Sequence, residues 1–295
     1  MKRIADVDLR LLRVFAAVAE AGGYSGAQSI LNVGISTISL HMSELESRLG
    51  FQLCVRGRGG FRLTERGERA YEEARRLFAA LDDFSSNMSG LQKRLSGRLR
   101  IGMVDVLSTH PGFPLPEAIR RFNRLDNDVH VEIVVAPRRE LERSLLSGSL
   151  HAAFGPHIQN IKGLEFRPLF AETHRLHCGA GHPLFGEKRK LKREDVVRHP
   201  YVLRSYHGDF DRALFAESEP RATAHDMEGM LILLLSGHYV GLLPDHFAAR
   251  WVQAGKLRTV DAPDFTYESQ HTLITRKGAT QPEALKAFIA ALKIG

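Results

Sequence analysis

The chain has 295 residues, 43% hydrophobic and 25% charged, which is enough apolar material for a globular protein of two or more domains. Its formal net charge is +7, and residues 1–100 account for +5 of it, with 16 Lys or Arg against 11 Asp or Glu. The N-terminus is therefore the candidate nucleic-acid surface. Cys54 and Cys178 fall in different predicted domains, which excludes a disulfide framework and favours a reducing cytoplasm. With no signal-peptide core and no apolar run of membrane-spanning length, we expect neither export nor membrane insertion.

Residues 25–50 predict two short amphipathic helices joined by a tight turn at residues 32–34. Four apolar residues of the second helix share one stripe at helical spacing: Ile38, Met42, Leu45 and Leu49. The rest of that helix carries small polar side chains that can approach base edges: Ser36, Thr37, Ser39, His41 and Ser43. The pattern predicts a helix-turn-helix that reads DNA. An ordinary pair of packed helices is the alternative.

A glycine-rich hairpin follows the second helix. Gly50 ends the helix, and residues 51–55 alternate in the manner of a strand. The tip carries three arginines and no acidic residue: Arg56, Arg58 and Arg62. Phosphate oxygens would relieve the repulsion among these cations. The segment predicts a basic wing that contacts the DNA backbone, with a solvated surface loop as the alternative.

These segments resemble the winged helix-turn-helix of the LysR-type transcriptional regulators. The matching positions run along the whole segment: Leu9, Leu12, Phe15, Val18, Gly23, Tyr24, Ser25, Ala27, Leu31, Val33, Ile38, Ser39, Leu45, Glu46, Leu49, Gly50, Leu53, Leu63 and Thr64. The chain departs from the family pattern at Gln28, at Gly34-Ile35 and at Leu40. The resemblance implies that Ser25 and Ile35 also contact DNA. Ile35 offers an apolar contact, for example to a thymine methyl group, where the family's Gln would pair with adenine.

A long helix is predicted after Thr64, a candidate N-cap residue. We assign residues 1–64 to the DNA-binding domain and 65–96 to a linker helix. An apolar heptad stripe runs along it: Ala70, Ala74, Leu77, Leu81, Phe84, Met88, Leu91 and Leu95. Such a stripe can pack on its own chain. The family resemblance implies instead an antiparallel dimerisation helix, giving a homodimer or homotetramer with a seam formed by Leu77, Leu81, Phe84, Met88 and Leu91.

The remainder, residues 97–295, alternates short strands and helices and predicts an α/β domain. Strands are expected at 98–104, 129–135, 150–154, 164–171, 174–179, 201–203, 221–224, 239–243, 257–260 and 270–275. Helices are expected at 117–125, 139–147, 210–216, 226–235, 244–253 and 282–292. The resemblance implies a two-lobed effector-binding domain like a periplasmic solute-binding protein. Lobe I would hold about 97–160 and 269–295 and lobe II about 161–268, with the chain crossing after residues 154–156 and returning near Glu268.

Ligands of open α/β lobes bind at the carboxyl ends of strands, beside helix N-termini. Six residues in three such segments are the candidate effector contacts: Ser108, Thr109, Arg204, Ser205, His225 and Met227. Arg204 would hold a small carboxylate with a bidentate fork. Each position also has a structural alternative, because Ser and Thr cap helices, Asp226 fits an N-cap, and a loop Arg is commonly solvated.

The sequence predicts no metal, cofactor or catalytic residue. His174, His177, Cys178 and His182 are close in sequence, but strand positions three apart face opposite sides and no Cys-x-x-Cys pair accompanies them. Neither a nucleophile elbow nor a phosphate loop nor a His-Glu-x-x-His motif is present in the sequence.

The combined prediction is a cytoplasmic, ligand-responsive transcriptional regulator of LysR type. Its expected partners are double-stranded operator DNA, a small effector with a carboxylate as the candidate class, and a second copy of the chain. RNA polymerase is a further candidate partner. A solute-binding protein or enzyme built on the bilobal domain would leave the winged helix unexplained. An architectural DNA-compacting protein would have no need of the two-lobed domain.

Overall fold

The computed structural model describes residues 5–57, 60–90, 95–216 and 218–293. Its contacts divide the chain into two compact units, residues 1–85 with 147–149, and residues 86–146 with 150–295. In the described ranges, no helix combines the length and the apolar character that a membrane span requires.

The N-terminal unit is a helical core followed by a hairpin and a long helix. Its elements are α1 (Asp6–Glu20), α2 (Tyr24–Leu31), α3 (Ile35–Leu49), β1 (Cys54–Gly57), β2 (Gly60–Leu63) and α4 (Glu65–Gly90). The apolar stripes of the first three helices meet in one core that includes Leu11, Phe15 and Ile38. Asn32 ends α2 and Gly50 ends α3 in the left-handed conformation, so both chain reversals occur where the sequence places them.

Helix α4 begins as predicted but ends earlier. The Thr64 side chain accepts a hydrogen bond from the Gly67 amide at 2.9 Å, which caps the helix. The prediction that the helix continues to residue 96 is wrong, because Leu95 and Ser96 already belong to strand β3 (Leu95–Met103). Leu95 pairs with Asn127 of the neighbouring strand, and this pairing overrides the heptad pattern.

Lobe I is a sheet with helices on both faces. Strand β3 lies between β4 (Asn127–Val135) and β5 (Ala152–Pro156), and both pairings are parallel. Helices α5 (Leu115–Phe122) and α11 (Glu283–Leu292) pack on one face. Helix α6 (Arg138–Ser147) packs on the other. Strand β5 and the last five residues of β3 are buried on both faces, whereas the edge strand β4 keeps exposed positions along its length.

Lobe II is built on the second half of a long strand, β6 (Leu164–Gly179), which pairs with β9 (Val240–Pro244) and β10 (Leu257–Thr259). A second, two-stranded sheet joins β7 (Val202–Arg204) to β8 (Ala222–Ala224). The helices of this lobe are α7 (Arg193–Val196), α8 (Gly208–Leu214), α9 (Met227–Leu235) and α10 (Asp245–Gln253).

Strand β6 and the antiparallel strand β11 (Tyr267–Arg276) connect the two lobes and form the hinge. The sequence predicts separate strands at 164–171 and 174–179, but the strand is continuous, because Glu172 and Thr173 stay paired with Ser269 and Glu268. The predicted crossover after residues 154–156 is also wrong. The first half of β6 still pairs with the lobe I part of β11, and the chain changes lobe inside β6 near Glu172.

Candidate DNA interface and interlobe site

Helix α3 has one buried and one exposed face. Ile38 is fully buried, and Met42 and Leu45 are each 1% exposed, because their three- and four-residue spacing directs them into the core. The residues on the opposite face are exposed: Ser36, Leu40, Ser43 and Ser47. This face is the candidate surface for base contacts in a major groove.

The polar residues predicted to approach bases do not all share that face. Ser36 and Ser43 are exposed, whereas Thr37, Ser39 and His41 are partly buried. Because successive helical residues turn by about 100°, Ser36 and His41 point about 140° apart and cannot enter one groove together. Of this set, Ser36 is best placed, Ser39 lies on its flank, and the Nδ1 atom of His41 is buried without a hydrogen-bond partner among the described residues.

A shallow cavity of about 390 Å³ separates α3 from the wing and is lined by Ser25, Ile35 and Arg56. Ser25 and Arg56 are exposed, and Ile35 is 43% exposed. The Arg56 guanidinium lies 4.1 Å from the Tyr24 ring centroid, a cation–π contact that orients it. Arg62 is exposed on β2, and Arg58 lies outside the described residues. These side chains bring cationic and small polar groups to one groove, as phosphate contacts require.

Two charged residues of α3 hold the helix in position. Glu46 accepts a hydrogen bond from the Leu53 amide at 2.7 Å, which ties α3 to the start of the wing. Arg48 pairs with Asp8 of α1, and this hydrogen bond lowers the pKa of Asp8. The orientation of the exposed face is therefore fixed from both sides.

The apolar stripe of α4 is buried at its start and open further along. Ala74 is 2% exposed and Tyr71 contacts Phe15 edge-on, with ring centroids 6.2 Å apart. Leu77 and Leu81 are half-buried. Phe84 is 61% and Met88 45% exposed, an apolar surface that water does not favour. Leu91, the last residue of the predicted seam, lies outside the described residues.

The loop after β3 makes two hydrogen bonds to lobe II. The Asp105 carboxylate accepts from the Met227 amide at the start of α9, at 2.7 Å. The Thr109 hydroxyl lies 2.7 Å from Nδ1 of His246 in the first turn of α10. Burial raises the pKa of Asp105, and the bond from Met227 opposes this. Val106, between the two contacts, has a φ of +56°, which is strained for a β-branched residue.

The predicted effector residues differ in their exposure at this interlobe site. Ser108, Thr109, Ser205 and His225 are exposed. The Met227 side chain is only 5% exposed and packs in the lobe II core, so this residue reaches the interlobe site through its backbone amide. Asp226 accepts from the Gly229 amide at 2.7 Å and is the N-cap of α9.

Arg204 does not offer a free fork to a carboxylate. Its side chain is fully buried and pairs with Asp211, with an Nη2–Oδ1 distance of 2.6 Å. A further guanidinium nitrogen donates to the Tyr267 hydroxyl at 2.6 Å. A charge buried this deeply must be paired, and its partner comes from α8 of the same lobe. The expected role of Arg204 in holding an effector is corrected to an internal ion pair.

A second buried carboxylate, Glu172, occupies the hinge. It is 4% exposed and receives three imidazoles: His174 at 2.6 Å, His246 at 2.9 Å and His271 at 3.4 Å. Burial raises the pKa of Glu172, but the three hydrogen bonds outweigh this and hold it well below its usual range. His246 thus connects the Glu172 of the hinge to Thr109 of lobe I.

The donors and acceptors around His174 and Thr109 restrict which ring nitrogens carry a proton. Nδ1 of His174 lies 3.4 Å from Arg204, which can only donate, so His174 accepts there and donates from Nε2 as a neutral ring. Burial also lowers the pKa of His174. Thr109 has one hydroxyl proton and two acceptors, His246 and the Val106 carbonyl at 2.9 Å. The Thr109 hydroxyl therefore links the Val106 carbonyl of lobe I to the His246 ring of lobe II.

The sequence missed most of this network. Glu172 and His174 are two residues apart on a strand and so share a face, a signal that the wrong break between the two predicted strands concealed. Thr109 and His246 lie far apart in sequence and meet only through the fold. Tyr206 belongs to the predicted segment of residues 204–207 but was not chosen as a contact. Its hydroxyl is buried without a hydrogen-bond partner in the described part of the chain. Among those residues, no group of three or more His, Cys, Asp or Glu is arranged to hold a metal ion.

A helix-turn-helix with an exposed hydroxyl-rich face, a basic hairpin and a two-lobed α/β domain define a DNA-binding regulatory protein. Residues 9–68 match the model of the bacterial regulatory helix-turn-helix protein, lysR family. Residues 92–294 match that of the LysR substrate binding domain. The chain belongs to the LysR family of transcriptional regulators, which are not enzymes.

Relatives that match over nearly their whole length are also transcriptional regulators. The HTH-type transcriptional activator BauR of Pseudomonas aeruginosa (strain PAO1) is 37% identical over 294 residues, covering 99% of this chain and 96% of the relative. The SDS degradation transcriptional activation protein of a Pseudomonas species is 30% identical over 292 residues, covering 95% and 94%. The crystal structure of full-length CbnR complexed with target DNA has a TM-score of 0.66 at 24% identity, covering 97% and 98%. That likeness concerns the fold.

Proposed function

We propose that the chain regulates transcription in the cytoplasm by coupling the angle between its lobes to the placement of two α3 helices on an operator. The observation that carries this is the pair of interlobe contacts, Asp105 to Met227 and Thr109 to His246. Both are made by one short loop of lobe I against helix N-termini of lobe II. A ligand that replaces them would favour a different interlobe angle, and only such a difference in affinity can shift the equilibrium.

On the DNA side, α3 would enter the major groove while the wing contacts the backbone. Ser36, Ser39 and Ile35 would contact base edges, and Ser25, Arg56, Arg58 and Arg62 would contact phosphates. The exposure of Ser36 and Ile35 supports the first set, and the groove shared by Ser25 and Arg56 supports the second. Arg62→Ala should weaken binding to all sequences alike, and the slope of log affinity against log salt should fall by about one for each phosphate that is no longer neutralised. Measurement of affinity across a salt series checks this.

On the effector side, the Asp105 carboxylate occupies the start of α9, where a helix favours an anion. A small carboxylate would compete with Asp105 for the Met227 amide. The buried Tyr206 hydroxyl and exposed Ser108 and Ser205 would supply further hydrogen bonds. The proposed effector site therefore includes Asp105 and Tyr206 and no longer includes Arg204. A screen of small carboxylates by thermal shift should therefore find a ligand.

The decisive variant is Asp105→Asn, which keeps the shape and removes the competing charge. It should bind the carboxylate more tightly than wild type, because an amide is the weaker occupant of the helix terminus. Arg138→Gln serves as the matched control, since Arg138 is a cation already paired with Glu142. Unchanged affinity in Asp105→Asn, together with reduced affinity in Arg138→Gln, would move the site away from α9.

Assembly would use the open part of the α4 stripe. Phe84→Glu places a charge in the seam and should dissociate a dimer, whereas Glu72→Lys on the exposed side of the same helix should not. Sedimentation at micromolar concentration measures both. A wild-type chain that is monomeric under these conditions would contradict the seam formed by Leu77, Leu81, Phe84, Met88 and Leu91.

A further inference from the structure

Four imidazole rings lie at the hinge, and they come from four different elements. His174 on β6, His271 on β11 and His246 on α10 each contact the Glu172 carboxylate through Nε2. His110, in the loop after β3, meets the His246 ring edge-on with centroids 4.9 Å apart. Histidine is the side chain that ordinarily gains a proton between pH 5 and 8. Whether one of these rings can do so depends on what its second nitrogen, Nδ1, contacts.

Three of the four rings offer no acceptor for an added proton on Nδ1. Nδ1 of His174 faces the Arg204 guanidinium at 3.4 Å, and Nδ1 of His110 accepts from the Gly112 amide at 3.0 Å. Both contacts need a lone pair on the ring nitrogen, so protonation would break them. Nδ1 of His271 is buried and has no hydrogen-bond partner within the described ranges, so a proton there would be left unsatisfied.

His246 differs because its Nδ1 atom faces a hydroxyl group. The Thr109 hydroxyl oxygen lies 2.7 Å from Nδ1 and 2.9 Å from the Val106 carbonyl oxygen. This hydroxyl can donate to a neutral ring, or it can accept from a protonated ring and donate to Val106 instead. The Val106 carbonyl also accepts from the Thr109 amide at 3.1 Å, so it keeps a partner in both arrangements. His246 can therefore take up a proton without leaving a polar atom of the contact unpaired.

The charged groups around His246 provide a partner for an imidazolium. The side chain of His246 is only 9% exposed, and the Glu172 carboxylate lies 2.9 Å from Nε2. Asp245 precedes His246 on α10 and is paired with Arg175 at 3.2 Å. Arg204, on β7, is neutralised within its own ion pair. A positive charge on His246 would thus be paired, as a buried charge must be.

We propose that His246 and Thr109 form a proton-operated clasp between the lobes. Uptake of a proton by His246 reverses the hydrogen bond, so that a charged nitrogen of lobe II donates to a hydroxyl of lobe I. A charged donor forms a hydrogen bond roughly twice as strong as a neutral one. Mild acid therefore favours the lobe arrangement of this structure and opposes an effector that acts by replacing the contact. The inference rests on the proposed role of the interlobe angle and adds pH as a second input to it.

Amide hydrogen exchange of the full-length protein at pH 7.5 and 5.5 tests the clasp. Exchange rates in residues 105–110 and 245–249 are divided by the unfolded-chain rates at each pH, and the amides of β5, outside the contact, correct for changes in overall stability. In wild type, protection of the two segments relative to β5 should be roughly fivefold higher at pH 5.5, because the neutral donor is replaced by a charged one.

Two variants remove the clasp in different ways. Thr109→Val keeps the shape but leaves no acceptor for the Nδ1 proton, and His246→Gln keeps a polar amide that cannot gain a proton in this range. Neither should show the rise in protection at pH 5.5. Thr109→Ser is the matched control, because it keeps the hydroxyl and should retain the rise.

A wild type without the rise would overturn the inference. Equal rises in wild type, Thr109→Val and His246→Gln would also overturn it, as would loss of the rise in Thr109→Ser. The proposed function is tested separately, by the operator affinities of wild type and Thr109→Val at the two pH values. If these affinities agree while the rise in protection is present, the clasp is retained and the coupling of the interlobe angle to DNA binding is contradicted.

Discussion

The exposed face of α3 and the hinge strands β6 and β11 hold their polar side chains in opposite ways. On α3, three serines and a leucine face solvent, while Glu46 and Arg48 bond to neighbouring elements. In the hinge, Glu172 is buried and surrounded by three histidines, and Arg204 is buried against Asp211. The first surface can change without loss of stability, whereas the second region is coupled to folding.

This difference separates two kinds of evidence for function. An exposed residue with no structural partner is free to serve a ligand, so its replacement reports on binding alone. A buried charged residue serves the fold first, and its loss of function follows from loss of structure. Arg204 illustrates the second case, because residue type and position in the sequence suggested a ligand contact and the structure provides an internal partner.

The largest effect is expected at the buried ion pair. Asp211→Ala would leave the Arg204 guanidinium buried and unpaired, and should reduce the free energy of unfolding by about 3–5 kcal/mol. Urea denaturation of the full-length protein measures this. The double variant Arg204→Met/Asp211→Leu should recover much of the loss, because it removes both charges and keeps apolar volume. A loss below about 1 kcal/mol in Asp211→Ala would mean that the pair is not closed in solution.

The next largest effect is a pH dependence of the free energy of unfolding that is caused by His177. This ring is fully buried, with Nδ1 2.9 Å from the Arg175 carbonyl and Nε2 3.1 Å from the Thr259 hydroxyl. Burial lowers the pKa of His177 to about 4. The unfolded chain takes up this proton near pH 6.5 and the folded chain does not, so stability is complete above about 6.5 and decreases toward pH 4.

The decrease from this one residue should reach about 2 kcal/mol at pH 5, since each pKa unit corresponds to ~1.4 kcal/mol and about 1.5 units separate pH 5 from pH 6.5. Thermal melting between pH 7.5 and 5 measures it. His177→Gln should flatten the curve relative to wild type, whereas His130→Gln, at an exposed position on β4, should not. Parallel curves for wild type and His177→Gln would show that the proton is taken up elsewhere.

Local patterns in the sequence predicted the winged helix-turn-helix well. The stripe formed by Ile38, Met42 and Leu45, the turn at Asn32 and the ends at Gly50 and Thr64 depend on neighbouring residues, and all occur in the structure. The continuous strand β6 was harder to predict from the sequence. Its middle is polar because Glu172 and His174 bond to each other in the hinge, and a polar interruption in an apolar run is typical of a turn.

The interlobe site depends on contacts that no local pattern contains. Thr109 and His246 are 137 residues apart, and Asp105 and Met227 are 122 apart. The sequence predicted that the loop after β3 and the start of α9 would both lie at the site, since strand ends and helix starts collect there. It could not assign which side chain bonds to which, and so it chose Arg204 by residue type over Asp105.

A moderate effect is expected at the contact between lobes. Thr109→Val keeps the shape and removes the hydroxyl that faces His246, and should loosen the interlobe contact by about 1 kcal/mol. Amide hydrogen exchange in residues 105–110 and 245–249 should increase correspondingly. Ser108→Ala is the control, because Ser108 is exposed beside Thr109. Equal exchange in Thr109→Val and wild type would remove this bond from the proposed coupling.

The smallest effect on stability is expected on α3, where the comparison is sharpest. Ser36→Ala removes an exposed hydroxyl and should change the free energy of unfolding by less than about 0.5 kcal/mol. Specific DNA binding should nevertheless weaken by about 1 kcal/mol, the net value of one hydrogen bond, with non-specific binding unchanged. Urea denaturation and binding to selected and random duplexes measure the two quantities on one protein sample. If specific and non-specific binding weaken equally, Ser36 contacts the DNA backbone and the exposed face of α3 positions the protein without reading bases through this residue.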